Sequence, residues 1–346
     1  LSPFGFEVQV SISVIAPDLG QTNNDGENGW VPLGTYAIST STVDDTGIDV
    51  VCTLELYDRS WVFAQWALLQ NYSVPAADGT LEGEVVALLT YIWNNNGPGA
   101  QGVAVPTWLA NPNFQGGSTW TCPAGTYNQG QDPWQACLDM AQSAGQEIFF
   151  DINGYLTGKP IPGSPAGGPL NSLPVVWNFN PNEVSAVGTL AHPLGGTPFT
   201  TPVGTVLTLT RDGIYNDFFV AATGANNISG TNTPVMQEAA DTNAASPTFI
   251  GGPMGDVPYF VYDNLITTTA EALAEAQYDL GVSIAQAWTL GVTTPPNPLF
   301  DVDDVCTDTN PRLGLVLQKF IADTVTTTIR YDAQTVVAGR VITAGM

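Results

Sequence analysis

The chain has 346 residues, with seven Lys or Arg against 32 Asp or Glu, and a formal net charge of -25. Charged residues make up only 11% of it, so the imbalance comes from missing cations and not from a carboxylate-loaded, salt-adapted surface. A protein this poor in Lys and Arg cannot neutralise a run of phosphates, which excludes binding along a DNA or RNA backbone and docking on anionic membranes. An ordinary acidic soluble protein fits the charge, and so does a wall past which a polyanion slides without sticking.

The length predicts two or three domains. The longest apolar run, Val85 to Trp93, is shorter than the roughly 20 residues that span a bilayer. No secretory signal segment is visible. The chain opens at Leu1 straight into strand-like alternation, so a processed N-terminus or an upstream portion is expected. Gly at 36 positions and Pro at 26 favour short strands and frequent turns, while aromatics at 10% argue against disorder.

In chain order, residues 4–15 alternate apolar and polar, and Val31 to Ser39 and Ile48 to Tyr57 continue as strands around a polar loop from Pro17 to Gly29. Leu81, Val85, Leu88, Leu89 and Ile92 then share one helical face, and that helix frays into Asn94 to Pro98. A second helix starts at the N-cap Asp132 with Pro133 in its first turn, buries Trp134, Cys137, Leu138 and Ala141, and stops at Gly145. Glu147 to Lys159 reads as a hairpin turning at Asn153-Gly154, followed by a Gly/Pro/Ser linker from Lys159 to Pro174. Val175 to Phe179, Thr205 to Arg211 and Asn216 to Thr223 are strands. A third helix spans about Ala270 to Ala287, with a Thr268/Glu271 capping box and an apolar stripe of Leu273, Leu280, Ile284 and Trp288. Asp301 to Cys306, Arg312 to Ile321 and Thr324 to Tyr331 close the chain as strands, and no internal repeat has a fixed period.

The search for chemistry is mostly negative. His192 is the only histidine and lies in a Pro/Gly-rich stretch, so a loop position is expected for it and not a triad or a zinc site. Gly163 to Gly167 has its serine one place off a nucleophile elbow, and Gly154 to Pro160 lacks P-loop spacing. Asp301, Asp303 and Asp304 lack the Gly and distal Glu of a calcium loop, and a solvated strand entrance is expected. Glu82, Glu84, Glu147 and Asp151 are nominal candidates for a glycosidase pair on residue type alone. Four cysteines are too few for a disulfide scaffold: Cys122 and Cys137 flank a loop and could pair if oxidised, whereas Cys52 and Cys306 read as buried thiols. The tryptophans, among them Trp61, Trp66, Trp134 and Trp288, read as core or subunit contacts more than as a sugar platform. The sequons at Asn71 and Asn227 matter only in a eukaryotic secretory route. No catalytic, cofactor-binding or metal residue is assigned, and no cofactor is expected.

Several segments, in order and over most of the chain, resemble the baseplate hub (minor tail) proteins of long-tailed bacteriophages, particularly the actinobacteriophage type. They are LSPFGFEVQV with GWVPLGTYAIS, LELYDRSWVFAQ at 54–65, the stretch 132–160, IYNDFFVAATG at 214–224, DTNAASPTFIGGPMGDVPYFVY at 241–262, LITTTAEALAEAQ, and PPNPLFDVDDV at 295–305. Ser246-Pro247-Thr248 and Gly251-Gly252-Pro253 read as pins of a long ordered loop.

The resemblance implies a mainly β fold with α+β insertions: two β-barrel-like tube domains and a smaller α+β domain. The boundaries expected are 1–70 for the first tube-like part, lacking an upstream segment, 71–170 for the α+β part, and 171–346 for the second tube-like part with one long helix. The implied protein is a non-enzymatic homotrimer at the phage tail tip, assembled in the host cytoplasm. It caps the tail tube and lines the channel. Its implied partners are distal tail and tail tube proteins, the tape-measure protein and central fibre proteins, with genomic DNA passing through unbound. Two departures stand out. Family members carry more Arg than this chain, with uncharged Val257 and Val261 at notable positions, and the stretch Gln101 to Gln131 follows no family pattern. The competing readings are a secreted carbohydrate-active β-protein, hydrolase or binding module, and a receptor-binding or distal tail protein of the same particle.

Overall fold

A computed structural model of the chain describes residues 7–14, 29–45, 49–74, 79–115, 121–123, 125–164, 168, 170–180, 199–200, 202–222, 235–244, 246–297, 299–328 and 334–342. The protein is mainly β with a few helices. It divides into two compact units, Leu1–Ser13 with Trp30–Ile161 and Val14–Gly29 with Pro162–Met346.

The first unit opens with β1 (Glu7–Val14), β2 (Gly29–Asp45) and β3 (Val50–Tyr57), paired in that order. Next come α1 (Arg59–Gln65), β4 (Tyr72–Val74), α2 (Leu81–Asn95), the short α3 (Thr107–Ala110), β5 (Asn113–Phe114), β6 (Gly125–Tyr127), α4 (Pro133–Ser143), β7 (Gln146–Phe150) and β8 (Leu156–Pro160). β4 pairs with β6, and β8 lies between β5 and β7.

The two longer helices begin where their caps dictate. Thr80 Oγ1 accepts from Gly83 N at 3.2 Å to start α2, and Glu82 and Glu84 sit in the first turn, where the helix dipole favours negative charge. Asp132 Oδ1 accepts from Trp134 N and Gln135 N to start α4. α2 buries the five predicted apolar residues. α4 buries Met140 where Leu138 was expected, and Leu138 is half-buried. Gly145 follows at φ 65°, a left-handed position that favours glycine.

Aromatic rings fill this core. Phe150 stacks on Phe63 and on Trp134 and meets Trp108 edge-on, and Trp108 in turn meets Trp93 edge-on. Arg59 is buried beside them. Its Nε and one terminal nitrogen each lie 2.6 Å from the two Glu7 carboxylate oxygens, its other terminal nitrogen donates to Gly154 O, and the guanidinium sits 4.2 Å from the Trp108 ring centre. A buried guanidinium is tolerated only when its donors are met this way.

In the second unit β9 (Trp177–Phe179), β10 (Phe199–Thr200), β11 (Gly204–Leu209), β12 (Asp217–Ala222), β13 (Val235–Ala240) and β14 (Pro258–Asp263) precede α5 (Thr269–Gln286). β15 (Trp288–Thr294), β16 (Val305–Asn310), β17 (Leu315–Thr327) and β18 (Thr335–Val341) follow it. Seven strands form one sheet in the order β10-β9-β16-β17-β18-β15-β11. The sheet is curled: side chains from strands far apart in that order, Phe179 on β9, Phe320 on β17, Val337 on β18, Leu290 on β15 and Leu207 on β11, share a single apolar cluster. Thr205 on β11 interacts with Asp308 on β16 across the same interior. Gly339 permits the tight approach of β18 to β17 at a bulge, because a Cβ there would lie 1.7 Å from Ile321 O.

The remaining sheet, β13-β12-β14, carries α5 on one face. The capping box of α5 forms as predicted, with Thr268 Oγ1 accepting from Glu271 N and Glu271 Oε2 accepting from Thr268 N. Its buried face differs from the predicted stripe. Ala272, Glu275, Ala276, Ser283 and Ala285 are buried, whereas Leu273, Leu280 and Ile284 are half-buried and Trp288 already belongs to β15. Small residues let the helix lie close on β12 and β13, which leaves its larger side chains at the flank. β13, β14, β15 and β18 have no counterpart among the predicted strands, and the strand predicted from Thr324 is the second half of β17.

Candidate functional site

Of the carboxylates nominated from sequence, Glu147 and Asp151 are engaged in local structure. Glu147 Oε1 lies 3.0 Å from Lys159 Nζ across the β7–β8 hairpin. Asp151 Oδ1 accepts from Asn153 N and Tyr155 N and so holds the turn at Gly154, whose φ is 77°. Glu84 is buried on α2, and burial raises its carboxyl above the usual range, while Glu82 two residues earlier is exposed. Asp304 Oδ2 accepts from Trp177 Nε1 at 2.9 Å and from Asp301 N at 3.0 Å, which makes it a strand anchor. His192 and Asn227 lie outside the described residues, and Asn71 Oδ1 accepts from Gln129 N.

The cysteines are all free thiols. Cys122 and Cys137 are separate and buried. Burial, with Glu84 nearby, pushes Cys122 up to about 12, and burial holds Cys137 well above the ordinary thiol value. Cys306 is buried as expected, but Cys52 is exposed, because β3 is open to solvent along nearly its whole length.

The cations are the more informative set. Among the described residues, Arg59 is bonded to Glu7, Lys159 to Glu147, and Lys319 donates to Asn171 O and Leu173 O. Arg340 Nε lies 2.9 Å from Asp323 Oδ1. Only Arg211 and Arg312 of this set are exposed, against exposed Asp44, Asp45, Asp49, Glu55, Glu82, Asp212, Glu238 and Asp256. The described surface therefore offers a polyanion almost no counter-charge.

The long loop 241–257 hangs on one side chain. Asn216 is fully buried. Its Nδ2 donates to Thr248 O and Gly255 O, each at 2.7 Å, and its Oδ1 accepts from Val257 N at 2.7 Å. Asp241 Oδ2 accepts from Thr248 Oγ1 at 2.6 Å. Next to Asn216, Asp217 is buried on β12, and burial plus the nearby Glu238 and Asp256 carboxylates push it up to about 6. A 640 Å³ groove runs along α5 between Tyr278, Gly281 and Ile284 on the helix, Glu238 on β13, and Pro162, Gly163 and Leu170.

The fold has close counterparts among solved structures. The tail protein from Neisseria meningitidis superposes with a TM-score of 0.62 at 13% identity, over 90% of this chain and 80% of that one. The 43 kDa tail protein of prophage MuSo2 from Shewanella oneidensis superposes with a TM-score of 0.57 at 11% identity, over 97% of this chain and 89% of that one. The chain has the fold of these tail proteins. No protein-family model matches it, and no curated protein matches it in sequence. The Asn216 hub and the Asp217 carboxylate escaped sequence reading because both depend on strands and loops distant along the chain.

Proposed function

We propose that the chain is a non-enzymatic structural protein of a phage tail, and that it forms the homotrimeric hub at the tail tip, of the actinobacteriophage type. The observation that carries this reading is the fold likeness, which spans nearly all of this chain and at least four fifths of each tail protein. Residues 1–70 and 171–346 are the tube-like parts in this reading, and 71–170 the α+β part. Three copies then supply six tube-like positions and match a six-fold tail tube. The engaged cations support a channel role. Lys and Arg that are already bonded to the chain's own groups leave little to hold phosphates as DNA passes. Distal tail, tail tube, tape-measure and central fibre proteins are the expected neighbours.

Mass photometry and electron microscopy of the purified full-length protein test this. Trimers seen as rings with a central hole are expected. A protein that stays monomeric at micromolar concentration overturns the hub assignment.

A further inference from the structure

The β2–β3 ribbon has two unlike faces. The register sets Thr42 opposite Thr53, Val43 opposite Cys52 and Asp45 opposite Val50. Alternation then gathers Ser41, Val43, Asp45, Val50, Cys52 and Leu54 on one face and Thr40, Thr42, Asp44, Val51, Thr53 and Glu55 on the other. The second face is polar apart from exposed Val51, and Tyr57 Oη donates to Glu55 Oε1 on it at 2.8 Å. The first face is apolar and open, with Val43 65% exposed, Val50 69% and Leu54 40%. Apolar surface arranged on one side of a ribbon needs a cover.

A protein of net charge -25 repels copies of itself, so self-contact is favoured only where its few exposed cations sit at the seam. Arg312 is one of these. It stands in the turn Pro311 to Gly314 between β16 and β17, among exposed Leu313, Val316 (76%) and Leu317 (59%). Leu317 is held at φ 48°, a left-handed conformation that a leucine disfavours, and its exposure leaves that strain without burial to offset it. Arg211, the other exposed cation among the described residues, has no such strained neighbour.

We propose that the apolar face of the β2–β3 ribbon is a self-assembly surface, and that its occupant is the Pro311–Gly314 turn with the adjoining start of β17 to Leu317 of a second copy of this chain, with Arg312 meeting the acidic end of the ribbon at Asp45. Ribbon and turn are different patches, so the contact is heterologous and closes into a ring when the rotation allows. The proposal rests on the trimer reading above and specifies its seam.

Sedimentation and mass photometry of full-length variants test it. Leu54→Asp and Arg312→Glu alter exposed side chains, so each should keep the wild-type melting temperature yet weaken self-association about tenfold or more. Asp45→Arg should likewise weaken self-association, and Asp45→Arg combined with Arg312→Glu should recover most of the loss. If Arg312→Glu assembles like the wild type, or the double swap is no better than its single variants, the proposed seam is wrong while the trimer stands. If the wild type itself does not assemble, trimer and seam fall together.

Discussion

Asn216 and Thr248, thirty-two positions apart, are joined by a 2.7 Å hydrogen bond from the buried amide Nδ2 to the backbone carbonyl. The same amide group also meets Gly255 O and Val257 N, so one side chain ties the middle and the C-terminal end of the loop 241–257 to the start of β12.

Asn216→Ala should leave two carbonyls and one N–H buried without partners and lower stability by about 3 kcal/mol. Asn216→Asp should cost at least as much, because a carboxylate would face the two carbonyl oxygens. Urea denaturation measures the loss, and limited proteolysis should show cleavage within 241–257 appearing first.

Arg59 and Glu7 are the second long-range anchor. Arg59→Ala should cost about 3 kcal/mol, since it removes the fork to Glu7, the bond to Gly154 O and the stacking on Trp108 together. Arg59→Lys should recover less than half of that, because an ammonium cannot reproduce the planar fork. Denaturation midpoints of the two variants check the ranking.

Two glycines predict opposite outcomes for the same substitution. Gly339→Ala places a Cβ against Ile321 O in rigid strand backbone, and the protein should be destabilised by about 3 kcal/mol or fail to fold in soluble form. Gly281→Ala adds a methyl in open space on α5 and should stabilise by about 0.5–1 kcal/mol through helix propensity. Thermal melts of the pair decide it.

Asp217, Asp279 and Asp308 each have a carboxyl pushed from 3.8 up to about 6, with burial as the leading cause. The folded state thus holds these protons more tightly than the unfolded chain. Their contribution is fully present below about pH 4 and is lost as pH rises through about 6. Asp308→Asn should flatten this slope and raise stability at pH 7, where the native carboxylate is ionised between strands. Chemical denaturation at pH 4, 5, 6 and 7 reads both effects.

The legible parts of the fold were those whose signal is local. Asp132 and Thr268 mark helix starts by the hydrogen bonds their own side chains make two or three residues ahead. Gly154 marks a hairpin, and the five apolar residues of α2 mark its buried face. The buried face of α5 was not legible from its large residues, since closeness to the sheet selects Ala272 and Ala276 over Leu273. Cys52 was misjudged because an alternating strand shows which residues share a face, and not whether anything lies against that face.

By itself the sequence determined the cation poverty, the mainly β character and the local boundaries, because composition, caps and turn residues act over a few positions. Only the tertiary structure decided which cations are bonded internally, how β9 and β11 come to share one core, and that the apolar side of the β2–β3 ribbon stays open. Those features depend on pairings between residues tens to hundreds of positions apart, such as Arg59 with Glu7 and Trp177 with Asp304, and no local pattern encodes the partner.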